Sequence, residues 1–115
     1  MNNQLKDQIG SEEKETTLKF LRNLKVNIEE ISGYYYEDDI QKGSLGIINI
    51  IDDINIILSG ATTLFLGVIN VNDINSILAE LVLAMESQDN TLIADLLTYE
   101  LSPIISKGEA TFGVN

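Results

Sequence analysis

In four separate stretches of this chain the large apolar side chains, nearly all isoleucine or leucine, return at steps of three and four residues. At about 100° per residue that spacing gathers them on one face of a helix. Leu21, Leu24, Ile28 and Ile31 make the first stripe, with Phe20 on its flank. Ile40, Ile47, Ile51, Ile54 and Leu58 make the second, with Tyr36 and Ile50 beside it and Asn49, Asp52 and Asp53 on the other side. The third is Ile74, Ile77, Leu78, Leu81, Val82 and Met85; the fourth is Leu92, Ile93, Leu96, Leu97 and Ile104. The chain has no tryptophan and seven aromatic residues, so its core is aliphatic, as in packed helices. Its 115 residues suffice for one domain with one core. The expected fold is all-α, an antiparallel bundle of about four helices at roughly 12–32, 36–59, 72–87 and 90–106. These helices form one domain, 11–108, between a polar tail at 1–10 and a short C-terminal tail at 109–115.

Local signals place the helix ends. Ser11 is the expected N-cap of the first helix, with Glu12, Glu13 and Glu15 at its positive end, and Gly33 marks its finish. Gly43 and Gly46 inside the second helix each cost about 1 kcal/mol against alanine, which predicts a close backbone approach by a neighbour. Acidic residues 37–39 read as that helix's favourable first turn. Asn72 is expected to cap the third helix and Asp89 the fourth. Pro103 would press its ring on the carbonyl of Tyr99, so the fourth helix should kink or end there. Residues 59–71 read as a buried connector or short extra turn that also offers a homodimer contact. The charge-free run from Ile54 to Asn72 approaches the length of a membrane span, but Asn55, Asn70 and the Ser59–Gly60 break argue against one.

Charge and missing residue types narrow the function. The formal net charge is −11, and the 64 residues from 43 to 106 carry eight acids and no cation. Such a surface repels phosphate backbones, which excludes nucleic acid as a direct ligand and is compatible with a protein partner. No histidine is present to serve as general base or metal ligand, and no cysteine to serve as nucleophile, disulfide or zinc ligand. Residues 67–78 resemble the latter half of a calcium loop, but Thr62, Leu64 and Leu66 occupy the early ligand positions, and leucine offers no side-chain oxygen. The expectation is a protein without cofactor, metal or catalytic residues. The opening residues hold no cationic segment followed by an apolar run, so the expected location is cytoplasmic.

One residue resists this pattern. On a regular wheel Glu100 falls within the apolar arc of the fourth helix. A carboxylate there calls for a cation or a hydrogen-bond donor. Arg22 is the preferred cation because its guanidinium binds carboxylates in bidentate fashion, and Tyr99 or one of Tyr34, Tyr35 and Tyr36 could donate. Asp95, Tyr99 and Glu100, with Arg22, form the candidate interaction or buried polar cluster.

The stretch 83–103 carries Ala84, Glu86, Asp89, Leu92, Ala94, Asp95, Leu96, Leu97, Tyr99, Glu100, Leu101 and Pro103. It resembles a C-terminal signature, LxADLLxYELxP, of small acidic all-helical proteins of Gram-positive bacteria. Residues 42–54 resemble their preceding helix, while Asn90 stands where that signature has an aromatic residue. The resemblance implies a helical fold without an established activity, and proximity to motility genes in some members implies an adaptor or export-chaperone role. The resulting expectation is a non-enzymatic helical protein acting through protein–protein interaction. The alternative is a chaperone or adaptor for a secreted or flagellar helical client.

Overall fold

The helices form where the apolar periodicity places them, and their ends differ. The structure, a computed structural model, describes residues 2–60 and 63–113, with side chains over 12–60, 64–65 and 67–111. Helix α1 spans Asn2–Tyr36, α2 Ile40–Leu58, the single turn α3 Thr63–Leu66 and α4 Val71–Glu86. A last rod runs through α5 (Asn90–Asp95), a π-helical turn (Leu96–Leu101) and α6 (Ser102–Gly113). The all-α bundle is therefore the observed fold, with no strand among the described residues.

Antiparallel packing follows from the cross-helix contacts. Gly43 and Gly46 of α2 face Tyr35 and Ile31 of α1, and a Cβ at either glycine would collide with those side chains. The close approach expected from the two glycines is thus real. In the other direction Tyr36, Ser32 and Arg22 of α1 meet Asp95, Thr98 and Glu109 of the last rod. Phe65 of α3 packs on Phe20 of α1, ring centroids 5.4 Å apart, and α4 lies along α5 and the π turn. The largest fully buried side chains among the described residues are all isoleucine or leucine, each contributing about 1.5–3 kcal/mol on burial.

Two connections use one device. Asp38 and Gln88 adopt positive φ, 62° and 56°. Around them Asp39 and Asp89 donate backbone N–H to Tyr34 and Ala84 carbonyls, closing α1 and α4 with Schellman-type bonds. The same aspartates then cap the following helix, accepting from the N–H of Lys42 at 3.3 Å and of Leu92 at 3.1 Å. Asp89 is the cap its sequence predicts. Gly33 is not a helix end, because the αL residue that terminates α1 is Asp38, and residues 37–39 are connection rather than first turn.

Other ends also shift. Residues 2–11 continue α1 as helical backbone, so Ser11 is not a cap. Asn70, not Asn72, caps α4, since its extended backbone lets Oδ1 accept from Asp73 N–H at 3.1 Å while Asn72 is already helical. Residues 109–113 lie in α6, and 114–115, like Ala61 and Thr62 in the connector, fall outside the described residues. The connector does contain the short turn expected of it, with Phe65 and Ile69 buried. No helix among the described residues is long and apolar enough to cross a membrane.

Pro103 neither ends nor breaks the helix. The π turn just before it closes with i→i−5 bonds, as in Ser102 N–H to Leu97 carbonyl, and accommodates the residue that cannot donate. Ile93, Leu97, Leu101 and Ile105 recur every four residues, a step that drifts about 40° on a regular α-helix. One wide turn cancels enough of that drift to keep all four in the core. Leu92, assigned to the apolar arc by the regular wheel, is instead exposed, as is Val82 of α4.

Candidate interaction surface

The π turn decides where the polar residues of the last rod point. It directs Leu96, Leu97 and Leu101 into the core and carries Thr98, Tyr99 and Glu100 around the outside. Thr98 Oγ1 donates to Ser32 Oγ at 3.0 Å, pinning the turn to α1. Ser32 in turn donates to the Glu29 carbonyl, so this buried contact is satisfied.

One turn earlier, Tyr36 donates its hydroxyl to Asp95 Oδ1 at 2.6 Å. That bond, above all, raises the Tyr36 pKa and keeps the phenol protonated as a donor. Tyr99 lies one turn beyond Asp95 on the same rod, and its side chain is 70% exposed. Tyr36 is 49% exposed and Leu92 is 42% exposed. Together they make a surface of two phenol rings and an aliphatic side chain around one carboxylate, mounted on two helices held together by side-chain bonds.

Two members of the sequence-derived cluster lie elsewhere. Glu100 is exposed on the far side of the rod, in a shallow groove with Asp73, Ile77 and Glu80 of α4. Its pKa is raised, first by lost hydration in that groove, then by the charge of Glu80 and a hydrogen bond to it. Arg22 does not reach Glu100. Its Nε donates to Glu109 Oε1 at 3.1 Å, a partly exposed ion pair near the opposite end of the seam. The physical reason for both corrections is the π turn, which rotates Glu100 off the arc that a regular helix would give it. Asp95 is bonded by Tyr36 of α1, and Tyr99 follows one turn later on the same rod.

Tyr36, one of the donors expected for Glu100, bonds Asp95 instead, across a separation of 59 residues that no local pattern reports. Gly33, the expected helix end, lies inside α1 with nothing within 4 Å of where a Cβ would stand. In the connector 59–71 Phe65 and Ile69 turn inward, each 3% exposed. Among the described residues no group of three carboxylates converges on a metal-sized position.

No curated protein and no solved structure matches the chain. A family profile does match, over residues 12–109, which takes in most of the bundle, from the charged part of α1 to Glu109 in α6. The chain therefore belongs to that family, described as a domain of unknown function (DUF8042).

Proposed function

We propose that this is a non-enzymatic acidic helical protein that works by binding another protein through the surface around Tyr36, Asp95 and Tyr99. The observation that carries this reading is the 70% exposure of Tyr99 on a rod whose core positions are already filled by Leu97, Leu101 and Ile105. Tyrosine offers large contact area at low entropic cost and is enriched among the residues that dominate protein interfaces. The Tyr36–Asp95 bond holds the neighbouring ring in place before any partner arrives.

The test is site-specific photo-crosslinking in the cells that make the protein. A photoreactive amino acid at Tyr99 should give one discrete protein adduct. The same group at Leu83, 65% exposed on α4, should not, and the Tyr99 adduct should vanish in a folded chain carrying Tyr36→Phe and Asp95→Asn. Absence of any Tyr99-specific adduct from the folded protein refutes the proposal.

The chaperone or adaptor alternative draws support from a different feature, the exposed Leu45, Ile48 and Ile56 along α2. A client helix could cover that stripe. It predicts that a dye reporting apolar surface binds the native fold and is displaced by substituting those three residues with serine.

A further inference from the structure

Tyr34 and Tyr36 both donate their hydroxyls to carboxylates, Glu30 at 2.9 Å and Asp95 at 2.6 Å. Tyr35, between them and only 5% exposed, has a hydroxyl that bonds nothing in the described chain. No fully buried side-chain nitrogen or oxygen among the described residues lacks a partner, so the Tyr35 hydroxyl is the part of that side chain that meets open space. The ring shows where. A Cβ at Gly43 would stand 2.8 Å from Tyr35 Cε2 and 3.1 Å from Cζ, so the ring lies against the α2 backbone along its hydroxyl-bearing edge. Position 43 gives up helix propensity to admit this ring, and the phenol it admits adds no hydrogen bond to the fold.

The open space is a cavity of about 420 Å³ at the end of the bundle that carries both aspartate-capped connections. Each of α1, α2, α4 and the last rod contributes to its lining, the arrangement by which helical bundles build ligand sites. Tyr35 and Ile93 are its buried residues, and Ile40 and Met85 are half-buried. Ser44 and Gln88 are exposed at its rim, next to Asn90. The side chains of these three, like the Tyr35 hydroxyl, have no hydrogen-bond partner among the described residues. The cavity thus combines an apolar wall with four neutral hydrogen-bonding groups, and its lining holds no charged side chain.

Such a lining selects by charge, size and polarity. A charged guest would leave water for a site that offers no counterion, because Asp39 and Asp89 beside it are turned onto the amides they cap. A void of about 150 Å³ accommodates a benzene ring, so this larger one admits a body of roughly two fused rings. The Met85 thioether adapts to such a body, and the Tyr35 hydroxyl can donate to it or accept from it. We propose that this cavity binds a small uncharged molecule, mainly apolar and about the size of two fused rings, whose hydroxyl or carbonyl group bonds the Tyr35 hydroxyl. The site does not depend on the protein-binding surface around Tyr36, Asp95 and Tyr99.

The test titrates the full chain, labelled with 15N, with 2-naphthol, which is uncharged in neutral solution, and with 2-naphthoate, which has the same rings and a negative charge. 2-Naphthol should shift the amides of residues 40–44 and 88–93 with a dissociation constant on the order of 1 mM or tighter. 2-Naphthoate should bind about tenfold more weakly or not at all. Tyr35→Phe keeps the ring and removes the hydroxyl. It should weaken 2-naphthol by about fivefold and leave the urea midpoint of the free chain unchanged, since that hydroxyl bonds nothing in the fold. No binding of 2-naphthol would leave the cavity to water and overturn the proposal. Equal affinity for the two probes, undiminished binding by Tyr35→Phe, or shifts confined to the exposed Leu45, Ile48 and Ile56 stripe would do the same. A fall in the midpoint of Tyr35→Phe would make the hydroxyl structural and also overturn it. So would a discrete protein adduct, formed in cells by a photoreactive amino acid at Ser44 and lost with Tyr35→Phe, which would make the occupant a side chain of a partner protein.

Discussion

At the scale of single residues, Glu100 makes a pH-dependent claim. Its raised pKa means that the folded chain holds this proton more tightly than the unfolded chain does. Stability therefore falls as pH rises through the window from the ordinary glutamate value up to the raised one, and the penalty is fully present above that window. Glu100→Gln should raise the unfolding midpoint at neutral pH, and its advantage should disappear in acid below the ordinary carboxylate range. Urea unfolding at the two pH values decides it; an advantage that persists in acid would point to packing in place of charge. The anomaly at position 100 was legible in the sequence as a carboxylate on an apolar arc. Its resolution was not, because the wheel assumed a constant 100° per residue and the π turn breaks that assumption.

At the scale of elements, the π turn behaves as one residue inserted into an otherwise regular stripe. Removing Glu100 would place the buried side chains of Ile93, Leu97, Leu101 and Ile105 at spacings of four, three and four, the pattern of an uninterrupted α-helix. Made together with Pro103→Ala, which removes the ring that the π turn accommodates, the deletion should leave a cooperative helical protein with stability within about 1 kcal/mol of the Pro103→Ala chain. Deleting Leu78 from α4, whose buried Ile74, Ile77 and Leu81 already follow a regular period, should abolish cooperative unfolding. Circular dichroism through a urea titration compares the two, and equal damage from both would argue that the π turn is not a register correction. Two other element-level features were readable locally: the Asp89 cap and the closeness announced by Gly43 and Gly46. Each concerns contacts within one turn or a cost that only a near neighbour can offset.

At the scale of the whole molecule, a net charge of −11 repels itself. The described ion pairs, Arg22–Glu109 and Lys42–Asp39, are partly exposed and worth less than about 1 kcal/mol each. Added salt screens the general repulsion among 18 acids more than it weakens those few pairs. The thermal midpoint should therefore rise from low to physiological ionic strength. A fall would mean that attractive pairs dominate.

The sequence by itself determined the helical class, the identity of most core residues and several helix boundaries, because a 3.6-residue period and a capping side chain act within one or two turns. Tertiary structure decided which faces meet. Arg22 finds Glu109 and Asp95 finds Tyr36 only after two long helices have settled in register. A change of one residue in that register turns a helix face by about 100°, enough to exchange a buried glutamate for an exposed one. That rotation is set by packing of side chains distant in sequence, and its trace within residues 89–103 is the four-residue recurrence of Ile93, Leu97 and Leu101, which a wheel of constant step does not resolve.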